Sequence, residues 1–600
     1  MSIRQYRPRR NLRGSITNAQ QLILISVFAI ALLLQISYPL VSGETLRLVT
    51  IATVYWAAGA MSLHALYSYG LNYAIRYILL TFTFALIVEQ IGSRTGWPFG
   101  TYSYDVSLGY QIYGVPLVVP FAWMMLAHPL LIAARRVSPH WVFLYGGTGL
   151  MAWDIFLDPQ MVSAQRWTWE VTGRTVPFQP EVPLLNTFGW LLTGMGLMAL
   201  LHITLPRERR KNGASYLVPN IFLCWTWFAG VVGNIFFFDR PGVALVGGLT
   251  FGLVLATLVN SLSIKKPSKL SGVLTSSVSV LIPMRNESEN VNGVLTSSND
   301  QVGLSAFEII TLNDGSTDNT SELISNFKFN MHAKAINGET LPSGWLGKNF
   351  ACHQLSLASQ FDYLVFIDAD VRLSPSAIQS AIRTMQICNW DFISPYPAQI
   401  AITPIEQLIQ PLLQWSWFAT VPLYIAQKFR IRSMAVANGQ FLIVSRAAYL
   451  KCGGHEAIKG EVIDDIELAR LLLKSGFNGG VADGSAISNC RMYKSSAQLI
   501  NGYRKSLWRA FGSPIGSIFA ITLLTLSSIV PFIYALNGSI LGWVGYMAIT
   551  TSRLVTALKV KSRWETAFLH PLSIAALIAL ICWSWIGKMR GELKWRGRNV

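Results

Sequence analysis

Eight apolar stretches follow one another through the first 263 residues, near 20–41, 48–66, 72–92, 111–134, 140–158, 184–205, 217–238 and 242–263. Each is close to the ~20 residues that a helix needs to cross a bilayer core. In hydrocarbon the backbone polar groups of such a run must be satisfied within the segment, which leaves helices. The first run follows a basic N-terminus, but it is long and has no evident cleavage site, so it reads as a membrane helix rather than a signal peptide. Composition agrees. The chain is 52% hydrophobic and 13% charged, about half the charge usual in a soluble domain.

The net charge of +18 would suit nucleic acid only if the basic residues formed a continuous surface. They cluster beside apolar runs instead, in RQYRPRRNLR (4–13), PRERRK (206–211) and KKPSK (265–269). That is the positive-inside pattern and argues against a nucleic-acid partner. Six cysteines, at 224, 352, 388, 452, 490 and 582, include no CxxC pair, so neither a zinc site nor a disulfide framework is expected. With a cytoplasmic N-terminus, eight crossings deliver residue 264 to the cytoplasm. The expectation is a multi-pass protein of a bacterial inner membrane with its soluble part on the cytoplasmic side.

The boundaries follow from changes of character. Residues 1–263 form the eight-helix membrane domain, and 264–277 a polar, serine-rich linker. Short β-type runs that end in polar or acidic residues then alternate with helix-compatible stretches over 278–510, the rhythm of an α/β domain. Within it, 402–427 is apolar and aromatic. A crossing there would split the soluble domain, so an interfacial helix or hairpin is expected. Residues 511–600 hold three more apolar stretches, at 514–536, 538–557 and 566–587, and a basic tail. Three crossings would put that tail outside, against the charge rule, so one of the three is expected not to cross fully.

The α/β part carries ordered polar motifs. VFIDADVRL sets Asp368 and Asp370 at a strand end. Hard carboxylate oxygens there can bind Mg²⁺ or Mn²⁺, which neutralises a diphosphate leaving group. SVLIPMRNESENV (279–291) ends a first strand with Pro283, Arg285, Asn286 and Glu287, and LNDGSTDNT (312–320) ends a second with Asp314 in a glycine/serine turn. GWLGKNFA (344–351) offers Lys348 in a glycine-bounded loop, placed to meet phosphate. GEVIDDIELARLL (460–472) opens an amphipathic helix with Asp464 and Asp465. Compensation of the helix N-terminus is the plain alternative for that pair.

These motifs, in this order, resemble a family 2 glycosyltransferase with the GT-A fold over 278–510. The resemblance implies a nucleotide-diphosphate sugar donor, a divalent metal and a single inverting displacement. Pro283, Glu287, Asp314, Lys348 and Asp368 would bind the nucleotide sugar, Asp314 at the base and Asp368 at the ribose. Asp370, with Asp368, would hold the metal. Asp465 would take the proton from the acceptor hydroxyl. The motif reads Asp464–Asp465 where the family has Glu–Asp, which leaves either acid open as the base. Processive relatives carry Q-x-x-R-W. The corresponding region, NGYRKSLWRAFG (501–512), lacks it, so transfer of one sugar to a membrane-dissolved acceptor is expected. Arg491, Tyr493, Arg504 and Trp508 would shape the acceptor region or anchor the domain at the membrane surface.

The membrane half contains few acids, and most lie in three glycine- and aromatic-rich connectors expected on one membrane face: 89–105, 153–170 and 236–242. Asp154 and Asp158 are four apart, hence on one helical face, and carboxylates near hydrocarbon usually have a function. No H-x₃-H set exists, so a di-iron centre is not expected, and His128 reads as a hydrogen-bonded structural residue. Two acids and many tryptophans without a metal pattern suit hydration of an isolated alkene. That reaction needs a carboxylic acid kept protonated by burial and a neighbouring carboxylate, a water, and a cation-tolerant aromatic wall, for which Trp97, Trp153, Trp167 and Trp169 are candidates. The competing explanation is that Asp154 and Asp158 cap helices or pair with Arg166 or Arg94.

TGWPFGTYSYDVSLGYQIYGVPLVVPFAWMMLAHP (95–129), AWDIFLDPQMVSAQRWTWE (152–170) and FGW (188–190) are similar to the bacterial carotenoid hydratase family over about 20–262. The resemblance implies water addition to the terminal double bond of an acyclic carotenoid, with no cofactor expected. It supplies no catalytic assignment, so Asp154 and Asp158 are candidates on chemistry, one as proton donor and the other tuning it or holding water. Glu89 and Asp105 stand in reserve. Together the halves are expected to hydrate a carotenoid end and glycosylate a carotenoid hydroxyl. The alternative is a glycosyltransferase for another membrane lipid (hopanoid, sphingolipid or sterol-like) with a non-catalytic membrane scaffold. Helix counting puts the Asp154 cluster on the outer face, opposite the sugar-transfer site.

Overall fold

In the computed structural model the chain divides into two units, Met1–Ser261 and Leu262–Val600. Residues 10–11, 14–137, 139–206, 208–267, 272–330, 332–560, 562–595 and 598–599 are described. Most of the basic run 4–13, Lys269 of KKPSK and residues 596, 597 and 600 of the basic tail lie outside them.

The first unit holds the eight expected helices: α1 (Asn18–Ile36), α2 (Gly43–Tyr69), α3 (Leu71–Thr95), α4 (Val118–Val137), α5 (Val142–Ser163), α6 (Leu184–Thr204), α7 (Leu217–Phe236) and α8 (Pro241–Ser263). Its burial pattern is inverted relative to a soluble protein. Leu22, Leu33 and Leu79 are at least 60% exposed, while His64, Glu89 and Asp154 are buried, as lipid solvation requires. The fourth helix starts at Val118 rather than at 111. Tyr113 and Gly114 both have positive φ, and they close a two-residue turn between the paired strands Gln111–Ile112 and Val115–Pro116. That conformation belongs to a tight hairpin and cannot continue into a helix.

α5 is the central element and packs on α4, α6 and α7. Small residues permit the close approach. A Cβ on Gly147 would lie 2.7 Å from the Met195 backbone nitrogen on α6. The connectors expected on one face do meet. Tyr102–Tyr104 (β1) pairs antiparallel with Trp167–Trp169 (β2), and Arg240 pairs with Glu181 and donates to Ser163. His128 is hydrogen-bonded to His64 at 2.9 Å, both fully buried, in keeping with a structural role.

In the second unit Lys265 bridges Ala482 and Lys266 reaches Asp483 at 3.5 Å, so the first part of the polar linker is tied to the α/β sheet. The elements run β3 (Leu274–Met284), α9 (Val291–Asn299), β4 (Leu304–Asn313), α10 (Thr320–Asn326), β5 (Ala333–Asn337), α11 (Gly347–Ala358), β6 (Tyr363–Ile367), α12 (Ala377–Cys388), β7 (Phe392–Tyr396), α13 (Pro404–Thr420), α14 (Leu423–Lys428), β8 (Phe441–Ser445), α15 (Arg446–Cys452), α16 (Asp464–Lys474), β9 (Gly479–Asp483) and α17 (Ser496–Ala510). Seven strands form one mixed sheet in the order β5-β4-β3-β6-β8-β7-β9, with β8 antiparallel to both neighbours. Along β3, Val278, Val280, Ile282 and Met284 face the layer holding α9 and α12, whereas Leu281 faces α11, α15 and α16. The period of two therefore buries both faces. The chain leaves β3 toward β4 on one side and returns to β6 on the other. This makes a crevice at the carboxyl ends of β3 and β6, the usual ligand site of an open α/β sheet. The apolar stretch 402–427 is α13 followed by α14, broken at Val421–Pro422, where proline removes a backbone donor.

Three helical stretches close the chain: α18 (Pro514–Leu536, with a π-turn at Thr525–Ile529), α19 (Ile540–Lys559) and α20 (His570–Met589). Among the described residues nine helices are long and apolar enough to cross a membrane. α18 and α20 (with its 3₁₀ lead-in from Glu565) are included, and α19 is not. α19 buries Arg553, Thr550, Thr556 and Lys559 and packs on α13. It is the member of the C-terminal trio whose composition departs from a span. α5 also falls outside the nine, and it is the helix that carries Asp154 and Asp158.

Candidate active sites

In the first unit, residues of α2 to α6 and their connectors enclose a cavity of about 90 Å³. A water needs only ~10–15 Å³ on that measure, so the space holds more than one. Asp154 and Asp158 project into it from successive turns of α5, each 2% exposed. One side chain links them. The Asn186 amide nitrogen, at the start of α6, donates to Asp154 Oδ2 at 2.9 Å and to Asp158 Oδ2. Asp158 Oδ1 also accepts from Trp167 Nε1 at 2.7 Å. The other oxygen of Asp154 has no hydrogen-bond partner among the described residues. Among the described residues neither acid caps a helix end, and neither makes an ion pair with Arg166 or Arg94. Arg166 donates to Ser107 instead. The capping-or-pairing explanation is not what the side chains do.

Glu89, from α3, supplies a third carboxylate to the cavity. Its Oε2 accepts from Tyr102 at 2.7 Å and Tyr104 at 2.8 Å, and its Oε1 from Trp123 Nε1 at 2.9 Å. All three partners are donors, so its oxygens act only as acceptors. The other reserve acid, Asp105, lies elsewhere. It caps the short 3₁₀ turn Val106–Leu108 through Ser107 N–H and does not line the cavity. The wall is aromatic, with one correction. Trp153, Trp167 and Trp169 line it, but Trp97 is 62% exposed. Trp123 and Trp190 take its place, stacked with centroids 4.4 Å apart, and Trp153 meets Trp190 edge-on at 5.8 Å. Asn186 escaped the sequence reading. The one signal was an amide within an apolar run, in PLLNTFGW.

In the second unit the motifs converge at the β3–β6 crevice. Asp368 follows β6, and its N–H donates to the Gln440 carbonyl just before β8. Lys348, in the first turn of α11, lies 2.9 Å from Asp368 Oδ1 and 3.5 Å from Asp464 Oδ2. Gly439 fits between: a Cβ there would come within 3.1 Å of Lys348 Nζ and 3.3 Å of Asp465 Cβ. Its N–H donates to Asp465 Oδ2 at 2.7 Å. The Asn438–Gln440 loop, unremarked in the sequence, thus holds Asp465, in the first turn of α16. Burial first, then neighbouring Asp464, pushes Asp465 up to about 6. Asp370 is pushed up to about 7 by burial and then by Asp368, and its Oδ1 is buried without a hydrogen-bond partner.

At the rim, Pro283 lies near the end of β3 opposite Leu312. The Asp314 N–H donates to the Met284 carbonyl, and Arg285 reaches the Asp314 carboxylate at 4.0 Å. Asn286 adopts φ 53° and accepts from Thr317 N–H, which turns the chain so that Glu287 N–H meets Thr320 Oγ1 at 2.8 Å. Arg491 follows Cys490, which pairs with Val371 directly after the D-x-D. Arg504 and Trp508 have other partners. Arg504 pairs with Glu592 at 2.8 Å, and Trp508 accepts the Lys588 ammonium over its ring at 4.2 Å and donates its backbone N–H to Ser584. They bind α17 to α20. Tyr493 is buried in the core below them.

Residues 49–260 match the family model described as "Carotenoid biosynthesis protein", and residues 279–448 match "Glycosyl transferase family 2". The first match falls within the helices of the first unit and the second within the α/β part of the second. Over 244 residues it is 26% identical to a 4,4'-diaponeurosporenoate glycosyltransferase of Staphylococcus haemolyticus, covering 40% of this chain and 63% of that protein. Over 177 residues it is 29% identical to the bisanhydrobacterioruberin hydratase of Haloarcula japonica, covering 28% of this chain and 58% of that one. The alignments span about three fifths of the length of these two curated relatives. A solved mannosyltransferase from Pyrobaculum calidifontis, in complex with GDP-Man and Mn²⁺, aligns at 15% identity and a TM-score of 0.33 over 58% of this chain and 98% of its own.

The transferase region's donor set fits a divalent ion of the hard, oxygen-loving kind. Two carboxylates sit at one strand end, and one oxygen is buried without a partner. Among the described residues no three His, Cys, Asp or Glu side chains form a metal-binding group. The titration of Asp465 gives a pH expectation. A base works as the carboxylate, so with Asp465 as the base of a sugar transfer, the reading proposed below, the rate should be full above about pH 7 and fall about tenfold per unit below about 6. Because Asp465 is not a proposed metal ligand, that limb should stay in place when the metal is saturating, as initial rates across pH at two metal concentrations would show. A limb that moves with metal would assign it to Asp370 instead.

Proposed function

We propose that this protein performs two reactions on membrane-dissolved carotenoid: addition of water across the terminal C=C of an acyclic end, and transfer of one sugar from a nucleotide diphosphate to a carotenoid hydroxyl. The observation that carries the first is the convergence of Asp154, Asp158 and Glu89 on one aromatic-walled cavity within the carotenoid biosynthesis region. Asp154, held through one oxygen only, gives its proton to the alkene CH carbon. A tertiary cation forms between the tryptophan faces, opposite the Glu89 carboxylate, whose charge and the ring quadrupoles stabilise it. Water adds to the cation and loses its proton to Asp158, which Asn186 and Trp167 hold in place. The aspartates thereby exchange one proton and the cycle resets through water.

In the transferase region Asp465 removes the acceptor proton, the freed oxygen attacks the anomeric carbon, and the diphosphate leaves from the opposite side. A bound divalent metal would neutralise the leaving diphosphate, held by Asp370 and Asp368. Lys348 places a further positive charge beside it. Asp314, Pro283 and Glu287 form the nucleotide side of the crevice. Chelation of the metal should therefore abolish sugar transfer while water addition continues, and Mg²⁺ or Mn²⁺ should restore transfer. Equal loss of both activities would contradict the division of labour. The protein is read as lying in a bacterial inner membrane with the transferase region cytoplasmic.

The test is the full-length protein in lipid with an acyclic carotenoid and a panel of nucleotide sugars. The expected products are a carotenoid heavier by one water and, on a hydroxylated pigment, one added sugar. Sugar transfer to a hopanoid, sphingolipid or sterol with the pigment unchanged would replace this reading with that of a lipid glycosyltransferase on a scaffold.

A further inference from the structure

Asn186 is 1% exposed, yet its carbonyl is left without work. Its amide nitrogen spends both hydrogens, one on each aspartate, while Oδ1 is buried with no partner. A buried acceptor without a donor is costly, of order 1–3 kcal/mol, and in native structures it asks for an explanation such as a bound water or ligand. Its residue, Asn186, lines the cavity where, on the proposed reading, a tertiary cation forms.

Such a cation has two fates. It loses a proton and returns to an alkene, or it is captured by water. Capture requires a water oxygen lone pair aimed at the cationic carbon, so the two hydrogens must point away, toward acceptors. The indole walls offer none. The cavity is large enough for a water. Asn186 and the two aspartates it bridges form one group of acceptors on its wall, and Glu89, already taken up by three donors, is the other.

We propose that Asn186 seats the nucleophilic water, its Oδ1 accepting one hydrogen and Asp158 the other, while its amide nitrogen fixes the spacing of the two acids. As the new C–O bond forms, the O–H bond directed at Asp158 breaks and that carboxylate keeps the proton. The second hydrogen stays on the product hydroxyl, still bound to Asn186 Oδ1. This role rests on the hydratase reading and adds a determinant of its outcome: Asn186 decides between water capture and proton return.

The two fates are separable in heavy water. Protonation followed by return leaves deuterium in recovered alkene, and capture leaves the alcohol. In full-length Asn186→Leu, water addition should fall about a hundredfold, the scale expected of a misplaced reactant. Deuterium exchange into recovered substrate should persist within a few fold, so the ratio of exchange to hydration rises. Asn186→Asp, which keeps an acceptor oxygen at that position, should recover part of the hydration, and it serves as the test if the leucine variant does not fold. Sugar transfer to a hydroxylated pigment reports folding of the rest of the chain. Exchange and hydration falling together in both folded variants would overturn the water-seating role and leave Asn186 as a spacer of the acids. Unchanged hydration would overturn it too. Wild-type protein that neither hydrates nor exchanges would instead sink the hydratase reading, and this proposal with it.

Discussion

Asp154→Asn is expected to lower water addition by about 10²–10⁴-fold, the range for removing a general acid, while sugar transfer to a pigment that already bears a hydroxyl stays within a few fold of wild type. Asparagine keeps the size of the side chain and can still meet Asn186, so the cavity survives and the proton does not. Asp158→Asn should also lose hydration, through loss of the acceptor for the water proton. Glu89→Gln should fall less steeply, because Tyr102, Tyr104 and Trp123 would still hold a polar group opposite the cation. Mass analysis of extracted pigment from cells expressing each variant checks all three. Asp154→Asn with wild-type hydration would return the two acids to a structural role.

The second large effect is expected in the other half. Asp465→Asn should cut sugar transfer by about 10²–10⁴-fold without changing hydration. Asp464→Asn should cost less, because that acid faces Lys348 at 3.5 Å, whereas Asp465 is the one oriented by the Gly439 N–H. On that geometry the proposal takes Asp465 as the base, a choice the motif alone left open. Parallel rates for the two variants, measured with a hydroxylated acceptor and saturating donor, would show which acid takes the proton. A larger loss in Asp464→Asn would reverse the assignment.

What was legible in the sequence follows from what periodicity and local chemistry encode. Apolar length announced all eight helices of the first unit, because hydrocarbon permits little else. The start of α4 was missed because residues 111–117 are as apolar as a helix, and only the Tyr113–Gly114 turn separates them. In the transferase region the strand-end acids were readable because loops after parallel strands must point into the crevice. The Gly439 loop was not, because its part in the site depends on a Cβ-free approach that only the assembled sheet reveals. The same limit explains Asn186 and Trp190. They stand about thirty residues from Asp154 in sequence and reach it only through the α5–α6 packing that Gly147 allows. Trp97, in the motif that resembles the hydratases, looked like wall and proved to be surface. Composition could rank the aromatics, but it could not say which way each one faces.

The most direct test is incubation of the purified full-length protein with an acyclic carotenoid in water enriched in heavy oxygen, under an oxygen-free atmosphere and without nucleotide sugar. The expected product carries one hydroxyl whose oxygen comes from the solvent, on the tertiary carbon of the former terminal double bond, and it is absent with Asp154→Asn. Recovery of unaltered pigment from wild-type protein that still transfers sugar to a hydroxylated carotenoid would contradict the account, leaving the membrane half as a scaffold.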